Sequence, residues 1–276
     1  MVSLISYGTY FNELGILRMD NFSITHKGKT LDKSEYTIDL DKRVFTSPSH
    51  KNNLMLDFTG LDGWTFNTAN YCTFNTGYGC TFNTGHKCTF DTLIDCKFET
   101  KWGCVFNVYE NCTFKTDSNC TFNTSHSCTF KTGDYCNFDT DSNCTFKAGS
   151  NCTFKTGDGC DFQTNSDCTF KTAGHCTFNT NSECTFRTGA DSHFTITDSC
   201  ILHTGSDCTF YTGEACTFMT ASNCIFDTGD ICTFLLYKIH THKFTKYDGC
   251  STILDREDNQ RYVLNEDLIN MLRVMK

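Results

Sequence analysis

From residue 64 to residue 239 one pattern recurs every eight positions: apolar at the first and third, Thr at the fifth, polar or small elsewhere. Cys stands at residue 72 and at every eighth residue to Cys232, with Ser192 the one replacement, and Trp64 holds the slot in the first octad. Phe follows two residues behind, from Phe66 to Phe234, and only Leu202 breaks that series. The fifth position departs from Thr at Val108, Ala148, Ile196 and Leu236 alone. The second position is Thr in 15 octads but accepts Lys97, Asn137, Asp161 and His193, and the fourth takes Asn, Lys, Asp, Gln or Arg. Nearly fixed odd positions beside variable even ones mark a strand with one buried face. The octad therefore predicts a five-residue strand whose Cys, Phe and Thr point inward. Its core ladder includes Phe74, Phe82, Phe90, Phe114, Phe122, Phe130, Phe146 and Phe154, with Cys80, Cys88, Cys120 and Cys128 at its flank. Positions six to eight predict a three-residue turn. Gly at position six, as in Gly77, Gly85, Gly133, Gly157 and Gly189, places a positive φ there.

The 22 octads run without insertion or deletion. One octad cannot close a coil. Two per coil give a flattened two-sheet solenoid with a 16-residue period, and three give a triangular one with 24. Packed sheets sit about 10 Å apart, a gap that opposing Phe rings span. The opposite run of the two sheets also sets Cys of one octad against Thr of the other. The expectation is an all-β solenoid of two octads per coil, about 11 coils at ~4.8 Å each. Its stability accumulates between neighbouring coils, so its ends need caps. Residues 1–63 read as a small β-rich cap or attachment domain, with strands at 22–26, 36–41 and 54–58 and turns at 47–49 and 60–63. Residues 64–239 are the solenoid and 240–276 a C-terminal cap. There His240 and His242 fall in the Cys and Phe slots, 245–264 reads as a hairpin, and a terminal helix begins at Asn265, an N-cap followed by Glu266 and Asp267.

Composition follows from the repeat: the 276 residues include 26 Phe, 21 Cys and 19 Gly but one Pro. Three readings of the cysteines compete. A disulfide framework suits short chains without a core, and stacked Cys side chains point in parallel rather than toward each other. Zinc sites need clustered Cys and His at CxxC-like spacing, which is absent. Buried, reduced thiols acting as small hydrophobes remain the simplest. Asn111, Asn119, Asn143 and Asn151 each open an Asn-Cys-Thr triplet, and glycans on successive coils would obstruct stacking. The N-terminus lacks a basic start followed by an apolar run, so no signal peptide is expected, and no window has the apolar length of a membrane span.

The net charge of −9 argues against a general nucleic-acid binder. Local rows differ. At period 16, Lys115, Lys131 and Lys147 line one sheet and Lys155, Lys171 and Arg187 the other, which are candidate contacts for a polyanion such as an acidic glycan or nucleic acid. Repeat duplication alone also produces such rows, with Asp117, Asp134 and Asp158 as nearby compensation. Outward Thr, including Thr145 and Thr153, resembles the Thr arrays of insect-type ice-binding proteins, although the fourth-position charges intrude beside it. An acidic rod acting as a decoy or DNA mimic is a further alternative. The carboxylates sit on turns and the His residues are dispersed, so no enzyme activity and no cofactor or metal are expected.

Runs such as CTFNTGYGCTFNTGHKCTF (72–90) and CTFKTGDGCDFQTNSDCTFKTAGHCTFNT (152–180), with the terminal hairpin and helix, resemble the CTF-type octapeptide-repeat proteins of bacteriophages and large viruses. The resemblance implies a viral protein found in the virion or host cytoplasm. It would be a fibre, spike or other particle component, meeting a protein or glycan surface, with homo-oligomer formation open to it. It carries no catalytic motif.

Overall fold

The structure is a computed structural model and describes residues 22–237, 239–246, 251–256 and 260–274. The N-terminal stretch on which the signal-peptide expectation rests lies outside the described residues. Thirty short strands form two sheets, one of 16 strands and one of 14. Successive octads alternate between them, so each coil takes 16 residues, and about 12 coils stack into the all-β solenoid. Within each sheet the octad strands are parallel and in register. Phe106 pairs with Phe122, and Phe114 with Phe130. The strands are shorter than the octad predicts: Thr121–Thr124 and Thr113–Lys115 are typical, and Cys lies just ahead of the strand.

The core is a double column of rings. Phe122 lies parallel to Phe106 below and Phe138 above, with centroids 4.8 Å apart, and meets Phe114 and Phe130 of the opposite sheet edge-on at 5.2 Å. Each ring thus satisfies both favourable aromatic geometries, worth about 0.5–1.5 kcal/mol per pair beyond burial. Where Leu202 replaces Phe the position stays fully buried while the column of rings is interrupted.

The turns depart from the expectation. Positive φ falls at position eight, not six, in every octad from Tyr71 to Ile231, whether the residue is Gly79, Lys87, Tyr135 or Ile231. The strain of this left-handed conformation is offset by a bond repeated from coil to coil. The position-eight N–H donates to the position-seven carbonyl one coil on, as Tyr71 does to His86 (2.9 Å) and Tyr135 to Ser150 (2.9 Å). Position-seven side chains add a second bond. Asp134 Oδ1 accepts from Ser150 N at 2.7 Å, and Ser118 Oγ from Asp134 N at 3.0 Å. Where position six is Gly, space rather than φ accounts for it. A Cβ on Gly149 would sit 1.9 Å from Asp134 Oδ1 and 2.9 Å from the Asp134 backbone nitrogen.

The flanking strands extend the same two sheets. Val44–Thr46 places Phe45 on Phe66, and Leu54–Phe58 places Leu56 on Phe74. Beyond them Ser23–His26 and Thr37–Asp39 turn antiparallel and end the ladders, and Lys29–Thr30 pairs with the former. At the other end a 3₁₀ turn, Ile239–Thr241, shifts the register by two, so Lys243–Lys246 places Phe244 on Phe226. His242 accordingly takes the Cys slot, not the Phe slot, and is buried rather than exposed at the cap. Thr252–Asp255 puts Ile253 on Phe234 and forms a hairpin with Arg261–Val263. Helix Glu266–Val274 is capped by Asn265, whose Oδ1 accepts from Leu268 N at 2.9 Å, and buries Leu268 and Ile269.

Three substitutions test this account by urea denaturation. Phe122→Ala costs about 3–5 kcal/mol, whereas Lys131→Ala on the surface stays within about 0.5 kcal/mol. Ile231→Asn stabilises by about 1 kcal/mol, because Ile231 is exposed, β-branched and held at φ +59°.

Candidate functional site in the outward rows

The parallel register turns each outward position into a row. On the shorter sheet Glu99, Lys115, Lys131, Lys147 and Gln163 stand one above another. On the longer sheet the row is Asp139, Lys155, Lys171, Arg187 and His203. The six cationic candidates thus form two runs of three on opposite faces. Like charges one rung apart repel, and each run begins with a carboxylate: Lys115 Nζ lies 2.6 Å from Glu99 Oε1, and Lys155 Nζ 2.7 Å from Asp139 Oδ2. The hydrogen bond from Lys115, with its charge, holds the Glu99 carboxyl below its ordinary range. These two acids, rather than Asp134 and Asp158, balance the lysines. Asp134 and Asp158 accept backbone N–H groups of the turns above, from Ser150 and Gly174. Asp117 is likewise a turn residue, its carbonyl accepting from Gly133 N.

Thr145 and Thr153 are exposed on opposite sheets. Thr145 ends the run Thr113, Thr129, Thr145, and Thr153 begins the run Thr153, Thr169, Thr185. Both runs lie alongside the cationic runs, so neither presents an uncharged Thr array.

The larger sheet carries an open groove of about 790 Å³ where its fourth-position row meets the corner. Small residues such as Gly189, Gly205 and Ala221 form its floor, Lys171, Arg187 and His203 its wall, and Tyr237 and Arg256 its C-terminal end. The Arg256 guanidinium sits 5.3 Å from the Tyr237 ring centroid. Among the described residues no carboxylate lines this groove, and Lys171, Arg187 and Arg256 make no ion pair. The corresponding groove over Glu99, Lys115, Asp117 and Lys131 on the other sheet is mixed in charge.

Two features escaped the sequence reading. Tyr237 enters the groove from position six of the last octad and Arg256 from beyond the octads. At one corner His86 stacks on Trp102 at 4.9 Å, Tyr71 meets His86 edge-on, and Lys87 Nζ lies 5.0 Å from the Trp102 ring centroid. The signal for this cluster was the 16-residue spacing of His86 and Trp102 at position seven.

The twenty cysteines from Cys72 to Cys232 are buried and free. Each thiol is held beneath a turn: Cys120 Sγ donates to the carbonyls of Ser118 and Lys101, both at 3.6 Å. Some also accept from the coil below, as Cys104 Sγ does from Cys88 N at 3.4 Å. Ser192 Oγ, His242 Nδ1 and Ser251 Oγ take over that acceptor role for Cys176 N, Cys224 N and Cys232 N. The neighbouring Cys144 thiol and burial push the Cys160 thiol up. At the start of its row, Cys72 is lowered to about 7 because Cys88 hydrogen-bonds its thiolate. The described residues hold no cluster of three or more His, Cys, Asp or Glu arranged to bind a metal, and no helix among them is long and apolar enough to cross a membrane.

No protein-family model matches the chain, and no curated protein matches it. Among solved structures it is similar to a mutant tailspike protein of the E. coli bacteriophage HK620 in complex with a pentasaccharide, at 8% identity and a TM-score of 0.22. The match covers 77% of this chain and 58% of that one, so the chain spans less than two thirds of the tailspike it matches. A regular 16-residue repeat of Cys, Thr and Phe is what the structure supports of the octad resemblance.

Reaction with Ellman's reagent checks the thiol ladder. The twenty ladder cysteines remain unreactive in the native protein at pH 8, Cys72 included, and all react in urea; rapid native modification of several would contradict their burial.

Proposed function

We propose that the chain is a non-enzymatic viral structural protein, a rigid rod that holds a binding face at a set distance from an N-terminal attachment end. The observation that carries this reading is the unbroken in-register stack from Val44–Thr46 to Thr252–Asp255, in which each coil repeats the one below. A double column of packed rings resists bending and leaves no cleft between elements. The two ends are built differently, from antiparallel strands at one and a hairpin with a helix at the other, which suits a part with a base and a tip. Attachment through residues 1–63 and a place in a fibre or spike belong to the same reading.

An acidic decoy is the less supported alternative. The flat faces carry cationic runs, while Asp134, Asp158 and Asp198 are engaged by turn backbone. Ice binding loses ground for the reason given above, the ammonium groups flanking each Thr run.

Mass spectrometry of purified particles from infected cells decides between the two main readings. The rod is expected at a fixed copy number per particle. Its absence from particles, with recovery in a soluble complex from the cytoplasm, would sink the particle role and favour the decoy.

A further inference from the structure

We infer that the groove along Lys171, Arg187 and His203 binds a single extended chain of an acidic polysaccharide, with Tyr237 and Arg256 receiving one end. The inference rests on the reading of the rod as a binding scaffold, though not on its place in a particle.

Charge is the first argument. In a chain of net charge −9, the described residues that line this groove include three fixed cations and no carboxylate. The other cationic run opens onto a groove that contains Glu99 and Asp117. Lys155, next in the row, is already neutralised by Asp139, so the unpaired charge begins at Lys171.

Geometry is the second. Lys171 and Arg256 are separated by five rungs of one sheet, about 24 Å at ~4.8 Å per rung. Cations on two adjacent rungs, Lys171 and Arg187, and a third at the far end, Arg256, suit an extended chain that carries anions along its whole length, as linked uronic acids do. The floor of Gly189, Gly205 and Ala221 lets one chain lie close to the backbone.

Side-chain chemistry is the third. Arg stands at 187 and 256, where its planar fork can take a carboxylate through two parallel bonds. Tyr237 is 47% exposed and offers a face for the apolar side of a sugar ring. Single-stranded nucleic acid fits less well, because sequence-independent binding stacks successive bases on several aromatics, and among the described residues lining this groove Tyr237 is the single Phe, Tyr or Trp.

The test is calorimetric titration of the full chain with a galacturonate pentamer, an uncharged glucan pentamer and an oligothymidylate, at about 20 mM salt, where screening is weak. Saturable one-site binding of the galacturonate is expected, with no binding of the glucan. The variant R187Q/R256Q should weaken binding by about tenfold or more, given charge-assisted bonds at both residues, and Lys171→Gln, far from the cap, should weaken it measurably. Lys131→Gln, on the opposite sheet, should stay within about twofold. Thermal unfolding confirms that each variant is folded. Absence of galacturonate binding, equal loss from Lys131→Gln, or tighter binding of the oligothymidylate would each overturn the proposal. Failure here with the protein present in particles would leave the rod reading standing.

Discussion

In-register parallel stacking requires nearly every side chain to tolerate a counterpart one rung above and one rung below. Phe meets this condition well, because parallel offset rings attract within a sheet and edge-on contacts attract across the two. Cys meets it by pointing its thiol at turn carbonyls below and beside it. Asn meets it through amide ladders such as Asn107 with Asn123 at 2.8 Å. Lys meets it poorly, and the cationic runs are correspondingly short and begin at an acid. The same condition explains the turns, where the left-handed residues from Tyr71 to Ala215 are tied to the next coil by their own N–H.

Much of this was legible before any coordinates. The eight-residue period, the inward Phe and the width of the gap they fill together specify two octads per coil. The register then places Lys115, Lys131 and Lys147 in one row. The left-handed position was not legible from Gly, since position six attracts Gly for lack of room rather than for φ. A better signal was present in Asn111, Asn119, Asn143 and Asn151, which tolerate the left-handed region. Their Asn-Cys-Thr triplets read as glycosylation sequences, but these residues occupy the turn that precedes each Cys.

Charge compensation was hidden for a related reason. In a solenoid the nearest carboxylate to a lysine is 16 residues away, so acids adjacent in sequence, such as Asp117, mislead. The cap was hidden by its insertions. His242 and Ser251 lie 18 and 19 residues after the cysteines whose N–H groups they receive, a spacing that an eight-residue count places in the wrong slot. Arg256 reaches the groove by the same irregular route.

Alternation of octads between the sheets also makes the molecule sensitive to parity. A gain or loss of two octads changes the rod by one rung and leaves each face as it was. A gain or loss of one carries every later residue to the opposite side: Lys171 and Arg187 would then share a face with Lys131, and the hairpin and helix would arrive half a coil out of phase with the edge they close. The number of octads can therefore drift freely only in even steps, and the tract of 22 satisfies that rule.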